Sequence, residues 1–261
     1  MPKKPNNTKD KKKYSQEIQE DIFDMQERER EVEANKKAII LKSLKFLPGI
    51  KMKNEKQKEL IRKIHENEII FIAGPAGTGK TYIALKGALE VIMNNKSEED
   101  VNQILITKPI VEAGESIGFL PGKVDEKIDP YMHSFESNFK KLIGGTVTKA
   151  LFENDIVKTV PLAYMRGATF HKSIAILDEA QNTTVTGLKL FLSRKGEGSK
   201  LIIIGDIDQT DLKLKPNEDN ALQDAFQRFQ GINKIAFMEF TEDDIVRSSI
   251  LIELMKRYKN R

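Results

Sequence analysis

The run Gly74-Pro75-Ala76-Gly77-Thr78-Gly79-Lys80-Thr81 constrains this chain more than any other stretch. It matches G-x-x-x-x-G-K-[ST] without deviation, directly after the apolar run Ile69–Ala73 and at the head of an amphipathic stretch, Lys80–Met93. That order predicts a buried strand, a tight loop and a helix. Gly74 and Gly79 permit backbone angles and close approaches that a side chain would block. The loop amides then point inward, and the helix adds its positive N-terminal end, so the segment is suited to a phosphate chain. Lys80 is expected to reach the β- and γ-phosphates, and Thr81 to hold Mg²⁺ through its hydroxyl. All eight residues are therefore expected to bind ATP, with Mg²⁺ as the accompanying cation.

Downstream, short Ile/Val/Leu runs alternate with helical patterns. Strands are expected at Ile69–Ala73, Gln103–Thr107, Ile174–Leu177, Leu201–Ile204 and Ile235–Phe240, with a short one at Ile156–Val160. Helices are expected at Lys80–Met93, Asp125–Ile143, Thr184–Ser193, Ala221–Phe229 and Glu242–Tyr258. Such alternation implies an α/β fold, a mostly parallel sheet with helices on both faces. Residues 1–35 differ: they are polar and dense in charge, as in Glu27-Arg28-Glu29-Arg30-Glu31. They read as a flexible arm or exposed helix, and 36–261 as the folded domain.

A bound Mg²⁺ needs a second carboxylate at the tip of a neighbouring strand. Ser173-Ile174-Ala175-Ile176-Leu177-Asp178-Glu179 supplies one. Asp178 is the expected metal residue, and Glu179 is placed to orient and deprotonate the attacking water. Taken alone, an acidic pair could equally cap the next helix. The run Leu201-Ile202-Ile203-Ile204-Gly205-Asp206 also ends a buried strand, and Gln209 follows it as a candidate sensor of the γ-phosphate.

Composition limits the alternatives. With no cysteine, disulfides, thiolate zinc sites and cysteine nucleophiles are excluded, and with three histidines a structural metal cage is not expected. The lack of cysteine fits a reducing cytoplasm. No apolar run reaches the roughly 20 residues of a membrane span, and no apolar segment follows the first lysines as a secretory signal requires. The net charge of +4 gathers in lysine-rich termini. Such tails can hold nucleic acid, although a solvated, solubilising terminus is the commoner reading. Tyr131, Phe135, Tyr164 and Phe170 are the sparse aromatic candidates for base stacking, and core packing is the preferred reading of each.

Several stretches together resemble the PhoH family of ATPases, a group of RecA-like P-loop proteins related to helicases. They are the phosphate loop, Thr107-Lys108-Pro109-Ile110-Val111-Glu112-Ala113-Gly114-Glu115, Gly118-Phe119-Leu120-Pro121-Gly122, Lys127-Ile128-Asp129-Pro130-Tyr131, Pro161–Gly167, Asp178-Glu179-Ala180-Gln181-Asn182-Thr183-Thr184 and Gly205-Asp206 with Gln209. The likeness covers about Lys51 to Tyr258. It implies a RecA-like core that binds and hydrolyses ATP, often as a homo-oligomeric hexameric ring, with RNA or single-stranded nucleic acid as a partner. It also implies a Walker B role for Asp178 and Glu179 and a sensor role for Gln209. Gln57 resembles the glutamine that helicase-like proteins set against adenine, and reads equally as an ordinary helix-surface residue. The chain departs from the family at Lys108 and Ala168, where arginine is usual, and at Ser248-Ser249, where His-Pro is usual. Ala168 removes a guanidinium that could touch nucleic acid or a neighbouring subunit.

Phosphoryl transfer also needs positive charge on the γ-phosphate. Arg247, Arg194 and Arg166 are the candidates, Arg247 ranking first because it sits in a family motif and Arg194 second because it ends a helix that could face a neighbour. Two other functions remain open on sequence alone. One is a small-molecule kinase of P-loop type, such as a nucleoside kinase. The other is a nucleotide-dependent binding module in which hydrolysis times partner release.

Overall fold

A computed structural model describes residues 27–28, 31–44, 52–94, 101–109, 124–165, 167–212 and 220–246, with backbone alone for 124–132 and 163–164. The chain divides into a unit over Met1–Phe46 and a unit over Leu47–Arg261. The first contains helix α1, residues 31–44, largely exposed. The second carries the sheet.

Six parallel strands make that sheet: β1 (Ile69–Ala73), β2 (Gln103–Thr107), β3 (Val157–Thr159), β4 (Ser173–Leu177), β5 (Lys200–Gly205) and β6 (Ile235–Glu239), in the order β3-β2-β4-β5-β1-β6. The helices are α2 (Glu55–Glu66), α3 (Lys80–Met93), α4 (Val124–Ile143), α5 (Gly145–Glu153), α6 (Val185–Leu192) and α7 (Ala221–Arg228). The sheet is the RecA-like α/β arrangement: β5 lies between β1, which leads into the phosphate loop, and β4, which leads into Asp178. Ala73 pairs with Gly205 at the end of β5, and Leu177 with Ile203 two residues earlier, so the tips of β1 and β4 flank the end of β5. Open parallel sheets bind ligands at this carboxyl edge.

Both faces of the sheet are covered, which is why its central strands are mostly apolar, save Ser173 and Lys200 at their starts. Phe71, Ala73, Ala175, Leu177, Leu201 and Ile203 form one core with Leu188 and Phe191 of α6 and Leu222 and Ala225 of α7. The opposite parity, Ile70, Ile72, Ile174, Ile176, Ile202 and Ile204, is equally buried. Helices α2 and α3 contact β1 and β5. Asn54 caps α2 by accepting from Gln57 N–H at 2.9 Å, and Gln57, Leu60 and Ile64 form its buried stripe. Gly87 of α3 lets the two helices approach: a Cβ there would lie 2.7 Å from Ile64 Cδ1. Phe71 of β1 stacks on Phe237 of β6 with ring centres 5.3 Å apart. Among the described residues, no helix is long and apolar enough to cross a membrane.

Helix α5 carries no expectation from sequence; α1 overlaps the exposed helix that residues 1–35 allowed, and α2 was anticipated only in the helix-surface reading of Gln57. The helix expected over Glu242–Tyr258 does not start as a continuous helix. Glu242–Asp244 is a single 3-10 turn closed by a Thr241–Asp244 capping box, and Ile245 is extended. Val246 N–H leaves the helical pattern to donate to Gly77 O at 3.0 Å, a tertiary bond that local propensity does not report.

That bond and Phe240 hold the phosphate loop from the β6 side. Gly74 has φ of +140°, and a Cβ on it would fall 2.5 Å from Phe240 O and 2.7 Å from Phe240 Cβ. Gly74→Ala should therefore destabilise the chain by about 2 kcal/mol or more through strain and overpacking. Chemical denaturation monitored by circular dichroism measures it, and an unchanged midpoint contradicts it.

Candidate nucleotide site at the carboxyl edge

The phosphate loop is preformed. Gly79 stands before α3 in a left-handed conformation and offers no capping side chain, so the first N–H groups of α3 are open to a ligand. Thr78 is fully buried and braces the loop by donating to Pro75 O at 3.0 Å, so its side chain serves the loop. Lys80 folds back over the loop, its Nζ 2.5 Å from Gly74 O and 2.9 Å from Pro75 O. Burial pulls the Lys80 ammonium below its ordinary pKa, opposed by the carboxylates of Asp206, Asp178 and Glu179.

Across the tip of β5 stands Asp178. Its two carboxylate oxygens each accept from Thr81 Oγ1 at 3.1 Å. Burial, joined by the negative charge of Glu179, pushes the Asp178 carboxyl up to about 6 despite the Thr81 bond. Glu179 follows in a left-handed conformation (φ 54°), exposed to the cavity. Asp206, at the tip of β5, is also raised by burial, and it holds the turn after it by accepting from Asp208 N–H at 3.0 Å.

These residues line one cavity of about 370 Å³ that includes Ala76, Gly77, Gly79, Lys80, Thr81 and Gln209. Gly74 and Pro75 line an adjoining cleft with Asp206 and Phe240. A further polar cavity of about 290 Å³ opens on the other side of Glu179, between Lys108, Asn182 and Asp211. The donor set fits a divalent cation: a hydroxyl and a carboxylate meet at the loop, and three carboxylates act on a single lysine.

Gln57 is 3% exposed, so it is not an ordinary surface glutamine. Its Oε1 accepts from Lys53 N–H at 2.8 Å, and its Nε2 backs the loop, 3.5 Å from where a Gly79 Cβ would be. Arg194 is not brought to the cavity of its own chain. Its guanidinium reaches Ala168 O at 3.4 Å and Ser193 Oγ at 3.1 Å, beside the Phe170–Lys195 bridge that precedes β4 and β5. Arg166, Arg247 and the Gly114–Gly122 block lie outside the described residues, as do the side chains of Tyr131 and Tyr164. Phe135 and Phe170 are core residues, 1% and 3% exposed.

Sequence reasoning missed Gln181, Asn138 and Tyr82. Asn138 and Tyr82 line the phosphate cavity from helices without any local motif to mark them. Gln181 did have a signal, its place in the Asp178–Thr184 block, but only the fold shows what it touches. Its Nε2 donates to Glu179 Oε2 at 2.7 Å, and its Oε1 accepts from Asp206 N–H at 3.0 Å.

The profile of the family described as PhoH-like protein matches residues 49–259. The chain belongs to the PhoH-like protein family. A PhoH-like protein of Bacillus subtilis (strain 168) is 40% identical over 210 residues, which cover 80% of this chain and 64% of that one. Protein PhoH of Escherichia coli (strain K12) is 36% identical over 208 residues, covering 79% of this chain and 57% of that one. The chain thus spans about three-fifths of the length of these PhoH-like relatives. Among solved structures, the Hef helicase domain of Pyrococcus furiosus aligns with a TM-score of 0.42 and 16% identity over 72% of this chain and 38% of that one, a likeness too loose to bear on function.

The raised Asp178 carboxyl sets a pH dependence. The folded state holds this proton more tightly than the unfolded chain, so its stabilising contribution is present at low pH and is lost as pH rises through about 6. At pH 8 an ionised, buried Asp178 costs about 1–3 kcal/mol. Asp178→Asn keeps an acceptor for Thr81 and removes that charge. Without metal or nucleotide it should melt roughly 3–8 °C higher than the parent at pH 8, with the gap closing toward pH 4. Thermal scans across that range decide it; a gap independent of pH contradicts the assignment.

Proposed function

We propose that this chain binds ATP with Mg²⁺ at the Gly74–Thr81 loop and hydrolyses it to ADP and phosphate. The observation that carries the reading is the Thr81–Asp178 contact beside Glu179: a hydroxyl and a carboxylate poised for one cation, with a base next to them. The loop amides and Lys80 bind the phosphate chain and neutralise its charge. Thr81 and Asp178 hold Mg²⁺, which when bound offsets the negative charge of the phosphates. Glu179 takes a proton from the attacking water, whose oxygen bonds to the γ-phosphorus as the bond to ADP breaks. Gln209 orients the water or the γ-phosphate, and Gln57, packed behind the loop, is assigned to the adenine side. Arg247, and second to it Arg194, supplies the added positive charge, and a hexameric ring would let Arg194 act from a neighbouring subunit.

RNA or single-stranded nucleic acid is the proposed effector. Family likeness and the lysine-rich termini support it, as helicase-like work would require. The cysteine-free composition supports a cytoplasmic location. A nucleoside kinase would need an acceptor hydroxyl where Glu179 stands ready for water, and ADP released without added nucleoside separates the two.

Steady-state turnover with and without RNA or single-stranded DNA, run beside light-scattering mass measurement, tests this reading. ATP hydrolysis stimulated by nucleic acid in a ring-sized species is expected, and no hydrolysis under any condition overturns it. Lys80→Ala should abolish nucleotide binding. Glu179→Gln should bind ATP normally and turn over on the order of 10²–10⁴-fold more slowly. Parent-like turnover in that variant would move the base elsewhere.

A further inference from the structure

We propose that Gln181 is a positioning residue that ties the Glu179 carboxylate to the tip of β5, so that the water-activating group follows the strand that senses the nucleotide. This rests on the reading of Glu179 as the base. The argument starts from the two unlike ends of one amide. Its oxygen can only accept, and it meets the Asp206 N–H at 3.0 Å. Its nitrogen can only donate, and it meets Glu179 Oε2 at 2.7 Å, a short bond strengthened by the carboxylate charge. Exchange of the two ends would set two donors face to face at Asp206 and two acceptors at Glu179, so the orientation is fixed.

The clamp on Gln181 comes from the β5 side. Gly205 closes against it: a Cβ there would lie 2.4 Å from Gln181 Oε1 and 2.9 Å from Leu222 Cδ2. Thr210 donates its hydroxyl to Gln181 O at 2.9 Å. The next residue is tied in the same direction. Asn182 Nδ2 donates to Asp211 Oδ2 at 2.8 Å, and Asp211 N–H donates back to Asn182 Oδ1 at 2.8 Å. Two consecutive residues after Glu179 are thus bonded to the loop that carries Gln209. Glu179 itself holds a left-handed backbone that an unbranched acidic side chain adopts only against resistance, so its place depends on such partners. A shift of the β5 tip is passed to the carboxylate through a single rigid amide, without a change at Thr81 or Asp178.

Other side chains do not reproduce this. Methionine fills the volume but makes neither bond. Glutamate keeps the acceptor for Asp206 N–H and sets a negative charge against Glu179. The test uses the full chain with Gln181→Met and Gln181→Glu, each alone and combined with Glu179→Gln. Fluorescent ADP gives the dissociation constant, ATP turnover gives kcat and KM, and thermal scans report folding. A positioning role requires ADP affinity within about twofold of the parent, and kcat lowered about 10–100-fold in both single variants. In the Glu179→Gln background, the Gln181 substitutions should then cause no further fall. A single variant with parent-like kcat overturns the proposal, as does a fall that multiplies with that of Glu179→Gln. Loss of ADP binding and of thermal stability in both variants also overturns it, by giving Gln181 a structural role. The two readings separate cleanly: an active Glu179→Gln sinks the base assignment, whereas an inactive Glu179→Gln beside an active Gln181→Met sinks only this proposal.

Discussion

One hydroxyl facing one carboxylate organises this protein. Thr81 opens the helix that follows β1, and Asp178 ends β4, two places across the sheet. Their meeting at 3.1 Å depends on the register of β1, β5 and β4, because a strand rises about 3.3 Å per residue and a slip of one residue would separate the pair. The parallel pairing of Ala73 with Gly205 and of Leu177 with Ile203 sets that register, with β4 ending two residues before the tip of β5. The Ile, Leu and Phe core is therefore the support on which the site is built.

The site is held against its own preferences. Burial penalises the charges of Asp178, Asp206 and Lys80 at once, and Glu179 sits in a backbone region that costs on the order of 1–3 kcal/mol. Such an arrangement persists only where the surroundings over-determine it. Here the surroundings are a largely apolar sheet beneath and a polar lacing above, in which Thr210 bonds to Gln181 and Asp211 to Asn182 across the tips of β4 and β5. Under the proposed function, a cation and a triphosphate would complement both signs of charge.

The strands were legible where apolar residues run together: Ile69–Ala73 read directly as such a run, Gln103–Thr107 through its Ile-Leu-Ile centre, and Lys80–Met93 as the helix after the loop. The helix at Glu55–Glu66 was not legible, because only Gln57, Leu60 and Ile64 of its twelve residues are buried and one of those is polar. Gln57 shows the same limit at the site. Its chemistry suits an exposed position, and only the packing of α2 against the phosphate loop makes it a buried neighbour of Gly79.

By itself the sequence determined the chemistry that follows from consecutive residues: a glycine loop that frees its amides, a lysine and a threonine at the head of a helix, and an acidic pair after an apolar strand. These signals are local because backbone geometry over a few residues suffices to produce them. Tertiary structure alone decided which distant residues share the cavity: Asn138 from α4, the inward turn of Val246 onto Gly77, and Gln181 between Glu179 and Asp206. Those contacts depend on the order and register of strands far apart in the chain, which burial of the whole sheet sets and no short stretch of residues encodes.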